Sequence, residues 1–176
     1  MLLDNLRIPK SRVAALIGHL GKTKKELEQK THAKIKIDSQ TGEIEVSAKK
    51  DAIGFYSAMT IVKAIGRGFS PEHAFWLLDE NVGLEIVSLS DWLAGKKSAI
   101  AAKKSRIIGT AGKVRVELEE KTDCFISVQG KTVCIIGEYE NIAKAKKAIE
   151  MILTGARHAT VFEQLNRYNR ETRFEL

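Results

Sequence analysis

The chain has 176 residues, 44% of them hydrophobic and 29% charged with both signs mixed, and a net charge of +7. That content suffices for a core in one domain or two small ones and excludes a disordered chain. No stretch approaches the roughly 18 uninterrupted apolar residues of a membrane span, and Met1-Leu2-Leu3-Asp4 lacks the basic region and long apolar core of a secretory signal. A cytoplasmic protein is expected. Residues 1–88 carry 13 Lys and Arg against 11 Asp and Glu, a net of +2, whereas residues 89–176 carry 16 against 11, a net of +5. The second half is therefore expected to meet a polyanion more strongly.

Taken along the chain, a short strand is expected near Leu6–Ile8. Val13, Ala14, Leu16 and Ile17 then recur with helical spacing up to Gly18-His19-Leu20-Gly21-Lys22. A second short helix over Thr23–Lys30 follows, then strands at Ala33–Ile37 and Glu43–Ser47 around a Ser39–Gly42 turn. A longer helix carries an expected apolar stripe of Ala52, Phe55, Tyr56, Met59 and Val62 and ends at Gly66-Arg67-Gly68. Ser70-Pro71-Glu72 supplies an N-cap, a first-turn proline and an early acid, opening a helix through about Leu78. Its cluster Ala74, Phe75, Trp76, Leu77 and Leu78 is expected to pack between two rigidly associated units.

From Val82 the pattern starts again, with a strand to Leu89 and an insertion over Ser90–Lys97. A helix with Ile100, Ala101, Ile107 and Ile108 leads to Gly109-Thr110-Ala111-Gly112-Lys113. A helix over Lys113–Lys121, strands at Cys124–Val128 and Thr132–Ile136, and a helix striped by Ile142, Ala145, Ala148, Ile149, Ile152 and Leu153 complete the copy. A last helix runs from His158 to about Arg170. The match holds at one offset of 91 positions: Leu27-Glu28 with Leu118-Glu119, Lys30-Thr31 with Lys121-Thr122, Ile35 with Ile126, Ile37 with Val128. A shared GxxGK alone would mean little, but a run of matches at one offset is hard to get by chance. The expected domains are 1–68, 82–155, a connecting helix at 69–81 and a C-terminal helix at 156–176.

The order strand, helix, GxxG, helix, strand, strand, helix resembles the eukaryotic-type KH domain in two tandem copies, an α+β fold with three-stranded sheets packed by helices. A GxxG between two helices lets the backbone approach a phosphate run, because no Cβ blocks it, and the amides opening the next helix add a positive end. The resemblance implies single-stranded RNA as ligand. It implies that Gly18, Gly21, Gly109 and Gly112 shape the loops around His19, Leu20, Thr110 and Ala111. Lys22, Lys113, Lys104 and Arg106 would supply charge, and Ile17, Ile35, Ile108 and Ile126 would floor the grooves or serve as ordinary core.

Catalysis finds little support. Gly18–Thr23 ends like a Walker A loop, but Leu16 stands where its first glycine belongs, and Val114 after Lys113 has no hydroxyl for Mg²⁺. The four histidines show no metal-ligand spacing, and Cys124 and Cys134 have no CxxC arrangement. No enzyme activity, cofactor or metal is expected.

Lys131–Gly137, Met151–Gly155, His158–Phe162 and the tail Arg173-Phe174-Glu175-Leu176 resemble the archaeal members of one ribosome-assembly family. Its eukaryotic member is called the partner of the endonuclease Nob-one, and it is similar to the Krr-one assembly factor. The resemblance implies rRNA processing, with binding near the 3′ end of the small-subunit rRNA precursor. The Nob-one endonuclease and archaeal initiation factor two are the implied partners. In the eukaryotic proteins the first unit has lost its GxxG, whereas Gly18–Gly21 is intact here. The alternatives are a general single-strand-binding or mRNA-regulating KH protein, and a protein-binding scaffold.

Overall fold

The computed structural model describes residues 1–93 and 97–174 and divides into two units, Met1–Glu80 and Asn81–Leu176. The first unit runs β1 (Leu2–Arg7), α1 (Lys10–Ile17), α2 (Lys22–Thr31), β2 (Lys34–Ile37), β3 (Glu43–Ala48), α3 (Ala52–Gly66) and α4 (Pro71–Phe75), the last continued by a 3₁₀ turn at Trp76–Leu78. Its antiparallel sheet has the order β1-β3-β2, with Leu2 opposite Ala48 and Lys34 opposite Ser47. On β3 the strict alternation of Ile44, Val46 and Ala48 points one face into the core, where Leu16, Leu27, Ile35, Ile61 and Ile65 are fully buried.

Two features depart from the sequence reading. The opening strand is not confined to Leu6–Ile8: it pairs with β3 from Leu2 onward. It is an edge strand whose Asp4 and Asn5 are exposed, so no apolar pattern marks it. On α3 the stripe is rotated. Ala52 and Tyr56 are exposed and Met59 only half-buried, while Phe55, Ala58, Ile61, Val62 and Ile65 face the core. The helix is so apolar that several stripes fit its sequence. Asp51 caps α3 by accepting from the Gly54 amide at 2.8 Å, and a Cβ at Gly54 would run into the Thr31 carbonyl, so this glycine is where α2 and α3 touch. Ala74 and Leu77 are buried where α4 and its 3₁₀ turn pack on α3, within the first unit.

The second unit runs β4 (Val82–Ser88), α5 (Leu89–Leu93), α6 (Lys97–Ile108), α7 (Lys113–Thr122), β5 (Phe125–Gln129), β6 (Thr132–Glu138), α8 (Tyr139–Leu153) and α9 (His158–Phe174). Its sheet repeats the order as β4-β6-β5, with Val82 opposite Glu138 and Phe125 opposite Ile136. The insertion expected over Ser90–Lys97 contains the end of α5 and the start of α6; its Ala94–Lys96, like Glu175 and Leu176 of the tail, lies outside the described residues. The stripe on α8 is buried as the sequence indicates, from Ile142 to Leu153. Cys124 and Cys134 are buried and form no disulfide, and burial pushes the Cys124 thiol up to about 11, which leaves it a packing residue. Among the described residues no helix is long and apolar enough to cross a membrane.

The repeat extends past the third helix of each unit. Arg12 on α1 donates to the carbonyls of Ile65 (2.8 Å) and Phe69 (2.6 Å) at the end of α3. Arg106 on α6 donates to Ile152 (3.1 Å) and Ala156 (2.6 Å) at the end of α8. Ile152 and Ala156 stand 87 positions after Ile65 and Phe69, and Phe162 stands 87 after Phe75. Lys30 lies 4.9 Å over the Phe75 ring, and Lys121 lies 6.0 Å from the Phe162 ring. By these contacts α4 corresponds to the first turns of α9. The offset falls from 91 to 87 because the second copy has the shorter hairpin turn and no residue between β6 and α8.

Charge-assisted hydrogen bonds of this kind contribute roughly 1.5–3 kcal/mol each, and carbonyls left buried and unpaired cost more. Arg12→Met keeps the stem and removes the guanidinium; it is expected to lower stability by about 2 kcal/mol in urea denaturation. An unchanged midpoint would show that water satisfies these carbonyls equally well.

Candidate nucleic-acid interface

Both Gly-x-x-Gly segments fold into the same short loop between two helices. Gly18 has φ 73° and ψ 173°, and Gly109 has φ 74° and ψ 175°. The third residue of each loop is left-handed despite having a side chain: Leu20 at φ 52°, ψ 29° and Ala111 at φ 52°, ψ 28°. Gly21 and Gly112 follow at φ 76°. A left-handed non-glycine residue costs on the order of 1–2 kcal/mol, so two such residues at equivalent positions mark a conformation the surroundings impose.

The two glycines of each loop are required for different reasons. A Cβ on Gly18 would overlap the Thr23 side chain and lie 2.8 Å from the Thr23 amide nitrogen. A Cβ on Gly109 would overlap Val114 and lie 2.9 Å from its amide nitrogen. The second glycines have room, since a Cβ on Gly112 would meet nothing within 4 Å; only their positive φ asks for glycine.

The helices after the loops open without a side-chain cap and without an acidic residue in the first turn. α2 instead begins Lys22-Thr23-Lys24-Lys25 and α7 begins Lys113-Val114-Arg115. Cations at the positive end of a helix are locally unfavourable, and a bound anion relieves that conflict. His19, Leu20, Lys22, Thr110, Ala111 and Lys113 are all exposed, Leu20 to 85%. A polyanion can thus reach the loop backbone and the lysines together.

The structure sorts the remaining expected residues. Ile17 and Ile108 are half-buried beside the loops, whereas Ile35 and Ile126 are 1% and 3% exposed and belong to the cores beneath. Lys104 is half-buried. Arg106 has its guanidinium held by the Ile152 and Ala156 carbonyls, and its own carbonyl lies 2.9 Å from Nε2 of His158, so it ties α6 to the end of α8. Among the described residues no three His, Cys, Asp or Glu side chains gather as metal ligands.

Two positioning residues carry no loop motif. Glu28 on α2 accepts from the Ile35 amide at 2.8 Å, and Glu119 on α7 accepts from the Ile126 amide at 2.7 Å. Each carboxylate pins the helix after its loop to the edge strand, fixing the width of the groove between them. Thr31 and Thr122 then bond back to the Leu27 and Leu118 carbonyls, both at 2.7 Å. These residues are among the pairs repeated at offset 91, which is the signal that finds them.

Comparison with known proteins agrees with this geometry. Residues 83–170 match the eukaryotic type KH domain (KH-domain type I), and residues 4–59 match the KH domain. A KH domain-containing protein of Methanocaldococcus jannaschii is 39% identical over 180 residues, covering 99% of this chain and 78% of its own length. The crystal structure of Dim2p from Pyrococcus horikoshii OT3 is 44% identical with a TM-score of 0.88, over 95% of this chain and 99% of that one. Dim2p in an a/eIF2alpha-aDim2p-rRNA complex from the same organism is 44% identical with a TM-score of 0.89, over 97% and 95%. A protein of unknown function from Aeropyrum pernix is 35% identical with a TM-score of 0.89, over 99% and 94%.

The unequal demands on the glycines give a stability test. Gly112→Ala meets only the left-handed backbone and is expected to cost about 1 kcal/mol. Gly109→Ala also collides with the backbone of Val114 and is expected to cost at least twice that in thermal or urea denaturation. Equal costs would mean that the first glycine is held only by its dihedral angles.

Proposed function

The chain belongs to the KH-domain family, as an RNA-binding protein with two KH units of the Dim2p type, and from that premise we propose that it acts in small ribosomal subunit assembly. Its ligand in this reading is the 3′ region of the small-subunit rRNA or its precursor, bound as a single strand. The observation that carries the reading is the identity of the two loop backbones, angle for angle, each followed by a helix that opens with lysine and no acid. Similarity to a Dim2p found in a complex with rRNA and a/eIF2alpha supports rRNA as the ligand and the alpha subunit of initiation factor two as a partner. The Nob-one endonuclease is the second proposed partner, through the family resemblance.

In this reading Gly18, Gly21, Gly109 and Gly112 bring backbone to the phosphates. Lys22 and Lys113 neutralise them, with Lys104 contributing beside the second loop. His19 and Leu20, or Thr110 and Ala111, lie against the strand. The larger positive balance of the second half is not concentrated at its loop. Arg106 is occupied and Arg115 is paired with Glu119 at 2.8 Å, whereas Lys22, Lys24 and Lys25 crowd the first loop. Both loops are therefore assigned to binding.

The test replaces loop interiors with carboxylates while sparing the glycines. His19→Asp with Leu20→Asp, and Thr110→Asp with Ala111→Asp, are each expected to weaken binding to a 3′-terminal small-subunit rRNA fragment at least tenfold. A silent pair would confine binding to the other unit, and equal binding of unrelated single strands by the unmutated chain would favour the general RNA-binding reading. Affinity should also fall with salt: neutralising about four phosphates gives a log–log slope of roughly −3. A flat response would mean that stacking, not the backbone clamp, holds the RNA.

A further inference from the structure

The two units differ at the end of the helix that follows each loop. Lys30 on α2 and Lys121 on α7 are equivalent, and each stands one turn after a glutamate of its own helix. Lys30 stays with that glutamate, 2.8 Å from Glu26. Lys121 lies 3.7 Å from Glu117 and donates to the side-chain oxygen of Asn166 on α9 at the shorter distance of 2.7 Å. Asn169, about one turn further along α9, donates its amide to the Lys121 carbonyl at 2.9 Å. That carbonyl belongs to the last turn of α7, where helix carbonyls have no partner within the helix. The positions 87 before Asn166 and Asn169 are Asp79 and Val82, past the 3₁₀ turn that ends at Leu78.

α9 therefore reaches both helices that flank the second loop. On α6, Nε2 of His158 lies 2.9 Å from the Arg106 carbonyl, three residues before Gly109. On α7 the hold is at Lys121. Residues two apart on a helix point roughly 200° away from each other. Glu119, bonded to the Ile126 amide of β5, and Lys121, bonded to α9, thus hold α7 from nearly opposite sides. α7 has ten residues and neither glycine nor proline among them. A helix so short, about 15 Å long, moves as one piece. Fixing its far end fixes where its first amides and Lys113 stand.

We infer that Asn166 and Asn169 are positioning residues for RNA at the second groove. Through Lys121 they set the tilt of α7, and with it the distance from the loop lysine to the edge strand β5. The inference rests on the reading of the loops as the backbone that meets the phosphates. Covering the core is a separate task of α9, carried by Val161 and Leu165, and it needs neither asparagine. A groove wall that cannot tilt acts on the release of a bound strand more than on its capture.

The test uses the opposite demands at the two positions. Position 166 accepts from an ammonium, which a carboxylate does equally well; position 169 donates to a carbonyl, which a carboxylate cannot do. Asn166→Asp and Asn169→Asp add the same charge about one turn apart, so simple repulsion of RNA would affect both alike. Val161 and Leu165 keep α9 docked in each variant. In the full-length chain without RNA, well below the melting temperature, Asn169→Asp is expected to speed amide exchange at Thr110–Lys113 by about fivefold or more, and Asn166→Asp by less than about twofold. The 3′-terminal rRNA fragment should leave Asn169→Asp about fivefold faster than it leaves the unmutated chain, and leave Asn166→Asp at the unmutated rate. Faster exchange confined to α9, equal effects of the two substitutions, or an unchanged dissociation rate for Asn169→Asp would each overturn the assignment. Failure of the unmutated chain to bind any single-stranded RNA would instead sink the RNA reading, and the exchange at the loop would still decide whether α9 braces it.

Discussion

At each loop the side chain of Thr23 or Val114, one residue into the following helix, rests where a Cβ on Gly18 or Gly109 would be. That packing turns the backbone through a φ/ψ combination open to glycine alone and forces the residue two positions on, Leu20 or Ala111, into the left-handed region. The next helix then starts immediately, with its first amides and a lysine beside the loop. Groove, loop backbone and cation thus follow from one close contact between a glycine and a β-branched residue. The Glu28 and Glu119 carboxylates, each bonded to an edge-strand amide, hold the other wall of the groove at a fixed distance.

Much of this architecture is written in the residues. Glycine spacing, the 91-residue offset and the α8 stripe each have one physical reading, and the elements they indicate lie where they indicate them. Three features were less legible. β1 presents Asp4 and Asn5 because an edge strand buries little, so periodicity had nothing to detect. α3 is apolar nearly all round, and only packing selects which side is inside. Arg106 stands three residues before its loop glycine, a place that suggests a phosphate contact, yet the nearest unmet acceptors are the carbonyls ending α8.

The arginine clamps show why a repeat read position by position falls short of the repeat as built. Arg12 lies six residues before Gly18 and Arg106 three before Gly109, so no alignment on the glycines pairs them. Both nonetheless reach equivalent carbonyls, because positions about one helical turn apart share a face. What is duplicated is the acceptor, the frayed end of the last long helix, and each copy supplies a donor from whichever turn is at hand. The α4–α9 correspondence escapes notice similarly, since one helix stops after its first turns and the other continues to Phe174.

The strained residues in the loops have a kinetic side. Leu20 and Ala111 are held at left-handed angles by the packing of Gly18 and Gly109 against the following helix, and a loop fixed by its own packing costs little to order when a strand arrives. An interface already in its final shape contributes little to the barrier to association, which is then set by diffusion and by the field of the lysines. Residence time would depend instead on what the bases find beyond the phosphates. A receptor of that kind samples many strands briefly and keeps few.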